Sequence, residues 1–438
     1  MIRNVEWQAL NESARDRLLA RPDMEAPETL RVQVGEIIEA VRQGGDRALA
    51  RMARRFDGRE PEFLEVPDGE LEAAWKSLSA DLRRALDQAI ETVTAFHSAG
   101  RPRDYQVETA PGVVCETRWQ ALEPVGLYVP AGTAPLPSTA IMLGVPAGLA
   151  GCSEIVLATP PGNSGRGDPA VLGVAFRLGI SRVILSGGAQ AIAAMAWGTE
   201  TVPRCARIFG PGNRFVTEAK RQAAEHPTGA SMDLPAGPSE VMVLADAGAD
   251  PDFVALDLLS QAEHGPDSQV FLVTDSVDLA GRVDGRLEAR LAELPRAETA
   301  TRALSSGACI LVDGMEEALA VANRYAPEHL IIATDEPREL AGGVTAAGSV
   351  FLGHFTPESL GDYVSGTNHV LPTGGWARSL SGVSVADFMR RMSLQEASPE
   401  GLAGLGPAAE TLAAHEGLDA HRLAVQARRR RLGDAGSE

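Results

Sequence analysis

EIVLATPPGNSGRGDPAVLGVAFRLGISRVILSGGAQAIAAMAWG, residues 154–198, reads twice over as an apolar, β-rich run followed by a helical segment. EIVLAT (154–159) is the first run, and PPGNSGRGDP (160–169) is a loop by its glycines and prolines. RVILSGG (182–188) is the second run, and its glycine turn leads into the helical AQAIAAMAWG. The alternation continues outward: GLYVP (126–130) lies upstream, and ARIFG, EVMVLAD, QVFLVT, ACILVD, HLIIAT and GSVFLG follow between residues 206 and 353. Runs of this kind separated by amphipathic stretches predict βαβ units and a mostly parallel sheet covered by helices. They are too many for one mononucleotide-binding unit, so the expected class is α/β with two doubly wound domains. Further out the pattern changes. The first hundred residues read as helical, most clearly in GELEAAWKSLSADLRRALDQAIETVTAFHSAG (69–100), and after about Leu380 the β signal fades into charged helical sequence.

Composition narrows the function classes. A formal net charge of −19 over 438 residues argues against nucleic-acid binding, because phosphate backbones attract basic surfaces. With 44% hydrophobic residues the chain can build sizeable cores. Cys115, Cys152, Cys205 and Cys309 are far apart and show no C-x-x-C spacing, which fits a reducing cytoplasm and excludes a cysteine-only metal site. The polar start MIRNVEWQALNESARDRL does not read as a secretory signal, and AIMLGVPAGLAG is too short to span a bilayer. No membrane association is expected.

Four polar clusters can carry chemistry. In LDLLSQAEHGPDSQV, Gln261 and His264 stand three apart on a helix that Pro266 cannot continue, so they share a face near its end. An imidazole and an amide oxygen there can ligate a metal, although the same pair is common on plain surfaces. In NRYAPEHLIIAT, Glu328 and His329 directly precede an apolar strand; they suit a general acid/base pair, and equally a capped strand start. FLGHFTPESLGDYVSGTNHVLPTGG gathers His354, Glu358, Asp362 and His369 in a long polar loop, the kind of segment that usually has a function. HEGLDAHRLAV places Glu416 and His421 near a C-terminal helix, where alone they read as surface residues. Glycine turns add a nucleotide-like feature. Gly187 and Gly188, then Gly210, Gly212 and Asn213, and PAGPSE with Ser239 are tight turns of the sort that admit a diphosphate to a helix start. There is no G-x-G-x-x-G, and each turn also serves as an ordinary strand-to-helix connection.

Together these segments resemble the histidinol dehydrogenase family. The strings that carry the resemblance are VGLYVPAG, GGAQAIAAMAWGT, FGPGNRFVTEAKR, DLPAGPSEV, LDLLSQAEHGPDSQV, NRYAPEHL and GSVFLGHFTPESLGDYVSGTNHVLPT, in that order from about Asn4 to past His421. The resemblance implies zinc- and NAD-dependent oxidation of L-histidinol to L-histidine through a bound aldehyde, in the final steps of histidine biosynthesis. It implies Gln261, His264, Asp362 and His421 as zinc ligands, with Glu328 and His329 as acid/base residues. Ser239, Gln261, His264, His329, Asp362, His369, Glu416 and His421 are implied as substrate contacts, and Tyr128, Gln190 and Asn213 as NAD contacts. The implied fold has two incomplete Rossmann-like domains: residues 26–127 with 237–380, carrying the zinc and acid/base residues, and 128–236, carrying the NAD contacts. Residues 1–25 are expected as an N-terminal helical arm and 381–438 as a helical tail that completes the partner's site in an intertwined homodimer. His415 departs from the family pattern, outside the motif itself.

Rival readings remain. A relative on the same scaffold that oxidises another polyol, such as a sulfonated propanediol, is the nearest. A zinc-binding regulator without activity would not need Glu328 and His329, and a zinc hydrolase would show H-E-x-x-H, which is absent. Catalysis by Cys115 or Cys152 has no nearby histidine in sequence to support it.

Overall fold

The computed structural model describes residues 2–21, 26–56, 60–131, 135–235 and 237–435. Residues 22–25, at the end of the expected first segment, and residue 236, inside the PAGPSE turn, lie outside them. The chain divides into two compact units: Met1–Gly100 with Glu123–Asp387, and Arg101–Leu122 with Phe388–Glu438.

The larger unit holds two parallel sheets. The first runs Arg3–Glu6, Ala308–Leu311, Gln269–Thr274, Glu240–Ala245, His329–Ala333, Ser349–Leu352, with every neighbouring pair parallel. Along its central strand Val241, Val243 and Ala245 pack with Val254, Leu258 and Leu279 on one face. Met242 and Leu244 pack with Val321 and Tyr325 on the other. Burial on both faces is why EVMVLAD and QVFLVT read as continuous apolar runs and not as alternation. The second sheet runs Arg182–Leu185, Ile155–Thr159, Val125–Tyr128, Arg207–Phe209, Ser231–Met232, again parallel. Its chain order reverses between Val125–Tyr128 and Arg207–Phe209, which opens a crevice beyond the carboxyl ends of those two strands.

Local chemistry starts the helices that matter. Asp250 caps Pro251–Ala262 through the Asp252 N–H, with proline at the first position. Asn213 Oδ1 accepts from Phe215 N and Val216 N at 3.0 and 3.2 Å and so starts Arg214–Glu225.

Three placements differ from the sequence expectations. Arg3–Glu6 is an edge strand registered on Ala308–Leu311, so the first segment is not wholly helical; RNVE has no apolar run to mark it. The segment Glu28–Phe56, two helices that meet at a kink at Gly45 and grouped by sequence with 237–380, packs through Leu30, Val34 and Ile38 in the core of the second sheet. The segment after Leu380 opens with a strand, Met389–Ala397, antiparallel to Val113–Ala121, which also pairs with Tyr105–Ala110. This hairpin draws Arg101–Leu122 into the smaller unit. MRRMSLQEA is mostly exposed and three of its nine residues are charged, so it gives little strand signal. Helices Pro399–His415 and Asp419–Ala435 complete that unit. Among the described residues no helix is long and apolar enough to cross a membrane.

Candidate active site

Glu240, Gln269 and His329 are the first residues of three strands of the six-stranded sheet, so the site forms at its amino-terminal edge. A cavity of about 200 Å³ lies there. Ser239, Gln261, His264, Glu328, His329, Asp362 and His369 line it, facing Thr139, Gly210 and Asp233 from the other half of the same unit. The described cysteines do not line it. A second cavity of about 250 Å³, bounded by Phe63, Val66, Leu172 and the Arg166–Glu70 pair, contains no histidine.

His329 is the centre of the site. Its Nδ1 lies 3.1 Å from the Glu240 carbonyl oxygen, a partner that only an N–H can satisfy, so the neutral ring carries its lone pair on Nε2. Nε2 is buried without a hydrogen-bond partner, 3.6 Å from Asp362 Oδ1. Glu328 is buried beside it, with Oε2 accepting from Glu240 N at 2.9 Å and lying 3.6 Å from His329 Nδ1. Burial pushes the Glu328 carboxyl up to about 8. Burial alone would push the His329 imidazole down, but Glu358, Glu328 and Asp362 outweigh it and raise the ring to about 10. Burial likewise opposes charge on Asp362, yet the imidazoles of His329, His369 and His264 hold its carboxyl below the usual range.

Three side chains are arranged to hold a cation. One donor atom each from His264, Glu358 and Asp362 lies within 4.8 Å of the others. Imidazole nitrogen with carboxylate oxygens is a donor set that suits zinc and its first-row neighbours. Among the described residues, His329 Nε2 and Glu358 Oε2 are buried without hydrogen-bond partners, as expected of atoms that a bound group satisfies. His369 is fixed from both sides, with Nε2 3.1 Å from Thr139 Oγ1 and Nδ1 2.9 Å from the Asp362 carbonyl oxygen. Donor atoms of Asp246, Asp335 and His354 also lie within 4.8 Å of one another at the opposite edge of the sheet, where Asp335 is exposed.

The five-stranded half contributes backbone. Tyr128 ends its strand at the crevice, and its hydroxyl accepts from Gly188 N at 3.0 Å. A Cβ on Gly210, at φ 118°, would meet the Tyr128 carbonyl oxygen at 2.1 Å, so only glycine lets that turn approach. Asp233 Oδ2 accepts from Gly210 N at 2.7 Å, and buried Lys220 donates to Gly210 O at 2.9 Å while pairing with Asp233.

A sequence profile of the histidinol dehydrogenase family matches residues 20–429. The histidinol dehydrogenase of Xanthomonas euvesicatoria pv. vesicatoria is 55% identical over 424 residues, covering 97% of this chain and 98% of that protein. That of Idiomarina loihiensis is 51% identical, covering 97% and 96%. The crystal structure of histidinol dehydrogenase from Elizabethkingia anophelis superposes with a TM-score of 0.95 at 41% identity, over 99% of each chain. The chain belongs to the histidinol dehydrogenase family.

Of the residues this histidinol dehydrogenase family member was expected to use, Ser239, Gln261, His264, Glu328, His329, Asp362 and His369 line one cavity. Tyr128, buried Gln190 and the helix cap Asn213 belong to the turns at the carboxyl edge of the second sheet. Glu416 and His421 belong to the smaller unit, where both are exposed. Sequence reading gave no role to Glu240, Asp233, Lys220 or Arg21. Arg21 Nε and Nη2 bind the Glu240 carboxylate at 2.6 and 2.9 Å, and Nη2 also donates to Tyr325 O and Ala326 O. Ala326 is the one non-glycine residue at positive φ among those described, and it sets the turn into Glu328. Only two lysines in the chain, and an arginine far from the motifs, gave these residues no local signature.

Arg21→Ala strands the buried Glu240 carboxylate. It is expected to cost about 3–5 kcal/mol of unfolding free energy in urea titration. A loss below about 1 kcal/mol, the value of a surface pair, would contradict this anchoring role.

Proposed function

We propose that this chain oxidises L-histidinol to L-histidine in two successive NAD-dependent steps, alcohol to aldehyde and aldehyde to acid, with one zinc ion per subunit. The observation that carries the reading is the unpartnered Nε2 of His329, 3.6 Å from Asp362 of the His264, Glu358 and Asp362 donor group, with His264, His329 and Asp362 lining a cavity that reaches the Gly210 turn. In this reading Gln261, His264, Asp362 and His421 hold the zinc. Ser239, Gln261, His264, His329, Asp362, His369, Glu416 and His421 contact the substrate, and Tyr128, Gln190 and Asn213 contact NAD. When bound, zinc orients the substrate's imidazole and amine and offsets the carboxylate charge around His329, while NAD accepts the substrate's hydride.

The chain's own residues then divide the proton work. With the carboxylates offset, His329 is neutral and its Nε2 takes the alcohol proton, the tautomer being fixed by the Glu240 carbonyl. Glu328 takes a proton from the water that attacks the aldehyde, its orientation fixed by Glu240 N. Asn213 Oδ1 is committed to its helix cap, so Nδ2 is the atom it offers a cofactor. The buried cavity keeps the aldehyde from side reactions. Product analysis with NAD, offering L-histidinol or a sulfonated propanediol, tests the assignment: L-histidine from the first and no oxidation of the second is expected, and the reverse would transfer the chain to the polyol reading.

The reading includes a cytoplasmic homodimer in which Glu416 and His421 serve the partner's site. Its support is the exposure of both residues, together with apolar side chains left in solvent around the site helices: Phe355 (84% exposed), Phe253 in ring contact with it, Leu256, Leu360 and Tyr363. Mixing His421→Ala and Glu328→Gln proteins, each deficient in overall formation of L-histidine, under subunit exchange is expected to restore about a quarter of the wild-type rate of L-histidine formation, since each heterodimer regains one intact site. No recovery after verified exchange would contradict sharing.

A further inference from the structure

We propose that Glu358 is a positioning residue that orients the Gln261 side-chain amide, so that its oxygen and not its nitrogen is offered to the bound cation. The inference rests on the zinc-site reading above, whose ligand set leaves Glu358 out although one of its carboxylate oxygens lies within 4.8 Å of donor atoms of His264 and Asp362.

Glu358 is a carboxylate in the wrong place for stability. It is 1% exposed at the start of the short helix Glu358–Tyr363. Among the described residues no lysine or arginine pairs with it, and its closest charged partner is His329 Nδ1 at 3.9 Å. A buried carboxylate without a close cation carries a penalty of several kcal/mol, so its place needs a compensating contact. Gln261, equally buried on the helix Pro251–Ala262, supplies one. In the amide orientation that satisfies both ends, Nε2 donates to Glu358 Oε1 at 2.6 Å and Oε1 lies 3.0 Å from Glu240 N, sharing that N–H with Glu328 Oε2. The opposite orientation sets oxygen against carboxylate and nitrogen against N–H, repulsive at both ends.

The consequence for a cation is direct. An amide nitrogen has no lone pair to give a metal, whereas the oxygen has two. One of them faces the shared Glu240 N–H and the other is free. Glutamine is an unusual zinc ligand, and of its two nearly isosteric amide ends only the oxygen can ligate. With its carboxyl ionised, Glu358 removes that ambiguity, in the way that outer-shell carboxylates fix ligating histidines.

A double-mutant cycle on zinc affinity tests it. Affinity is read by competition with a chromophoric chelator on the full-length protein, after far-UV spectra confirm that each metal-free variant is folded. Glu358→Gln, whose own amide accepts or donates equally well, is expected to weaken zinc binding by about 10- to 100-fold, the range found for outer-shell partners. In the Gln261→Ala background the same change is expected to have no further effect, because no amide remains to be oriented. Should Glu358→Gln fail to fold, Glu358→Asp withdraws the carboxylate from the amide and serves in the same cycle. Equal losses in both backgrounds would overturn the proposal in favour of direct ligation or general structural support, and unchanged affinity of the single variant would overturn it outright. Wild-type protein that takes up no zinc would overturn the zinc-site reading itself, an outcome distinguishable from either.

Discussion

Replacing Glu328 by Gln is expected to leave oxidation of the alcohol within a few-fold of wild type and to slow oxidation of the aldehyde by about 10²–10⁴-fold, the usual contribution of a positioned base. The amide keeps the shape and still accepts from Glu240 N, so His329 retains its ring orientation and its free Nε2. What disappears is the atom that takes a proton from water. Single-turnover assays begun from L-histidinol and from L-histidinaldehyde separate the two steps. The pH profile adds a second signature. The Glu328 carboxyl is pushed up to about 8 by burial, so at neutral pH the protein without its cation holds it largely protonated. The aldehyde step should therefore rise with pH through an inflection that a nearby positive charge draws below that value, and Glu328→Gln should remove that inflection. Equal slowing of both half-reactions would contradict the division of labour between Glu328 and His329.

His264→Asn is expected to reduce zinc affinity by about 100-fold or more, beyond what loss of an outer-shell partner costs. His264 is exposed at the mouth of the cavity and sits one turn from Gln261 on the same helix end. Little packing is lost with it, so thermal unfolding of the metal-free protein should stay within a few degrees of wild type. Turnover should fall together with zinc content and recover partly at high zinc concentration. A variant that retains wild-type zinc affinity would remove His264 from the ligand set.

Much of this was legible in the sequence, for identifiable reasons. Strands buried on both faces announce themselves as unbroken apolar runs, so EVMVLAD, QVFLVT and HLIIAT were readable one by one. Glu328 and His329 stood out because charged residues directly before such a run need partners. Their side of the sheet was less obvious. The usual expectation places ligands beyond the carboxyl ends of parallel strands, and the turns with Tyr128 and Gly210 obey it. His329 and Glu240 do not, since both begin their strands. The exposed strands Arg3–Glu6 and Met389–Ala397 were not readable, because their polar residues face solvent and their pairing is set by distant chain. The same holds for Arg21, whose importance lies in contacts with Glu240 and Tyr325 that are more than two hundred residues away.

The most direct test of the account is the yield of NADH per molecule of L-histidinol consumed by zinc-loaded protein, with and without a strong chelator. Two NADH per substrate, lost on chelation and restored by zinc, is the predicted result. One NADH per substrate with free aldehyde released, or turnover indifferent to the chelator, would contradict it.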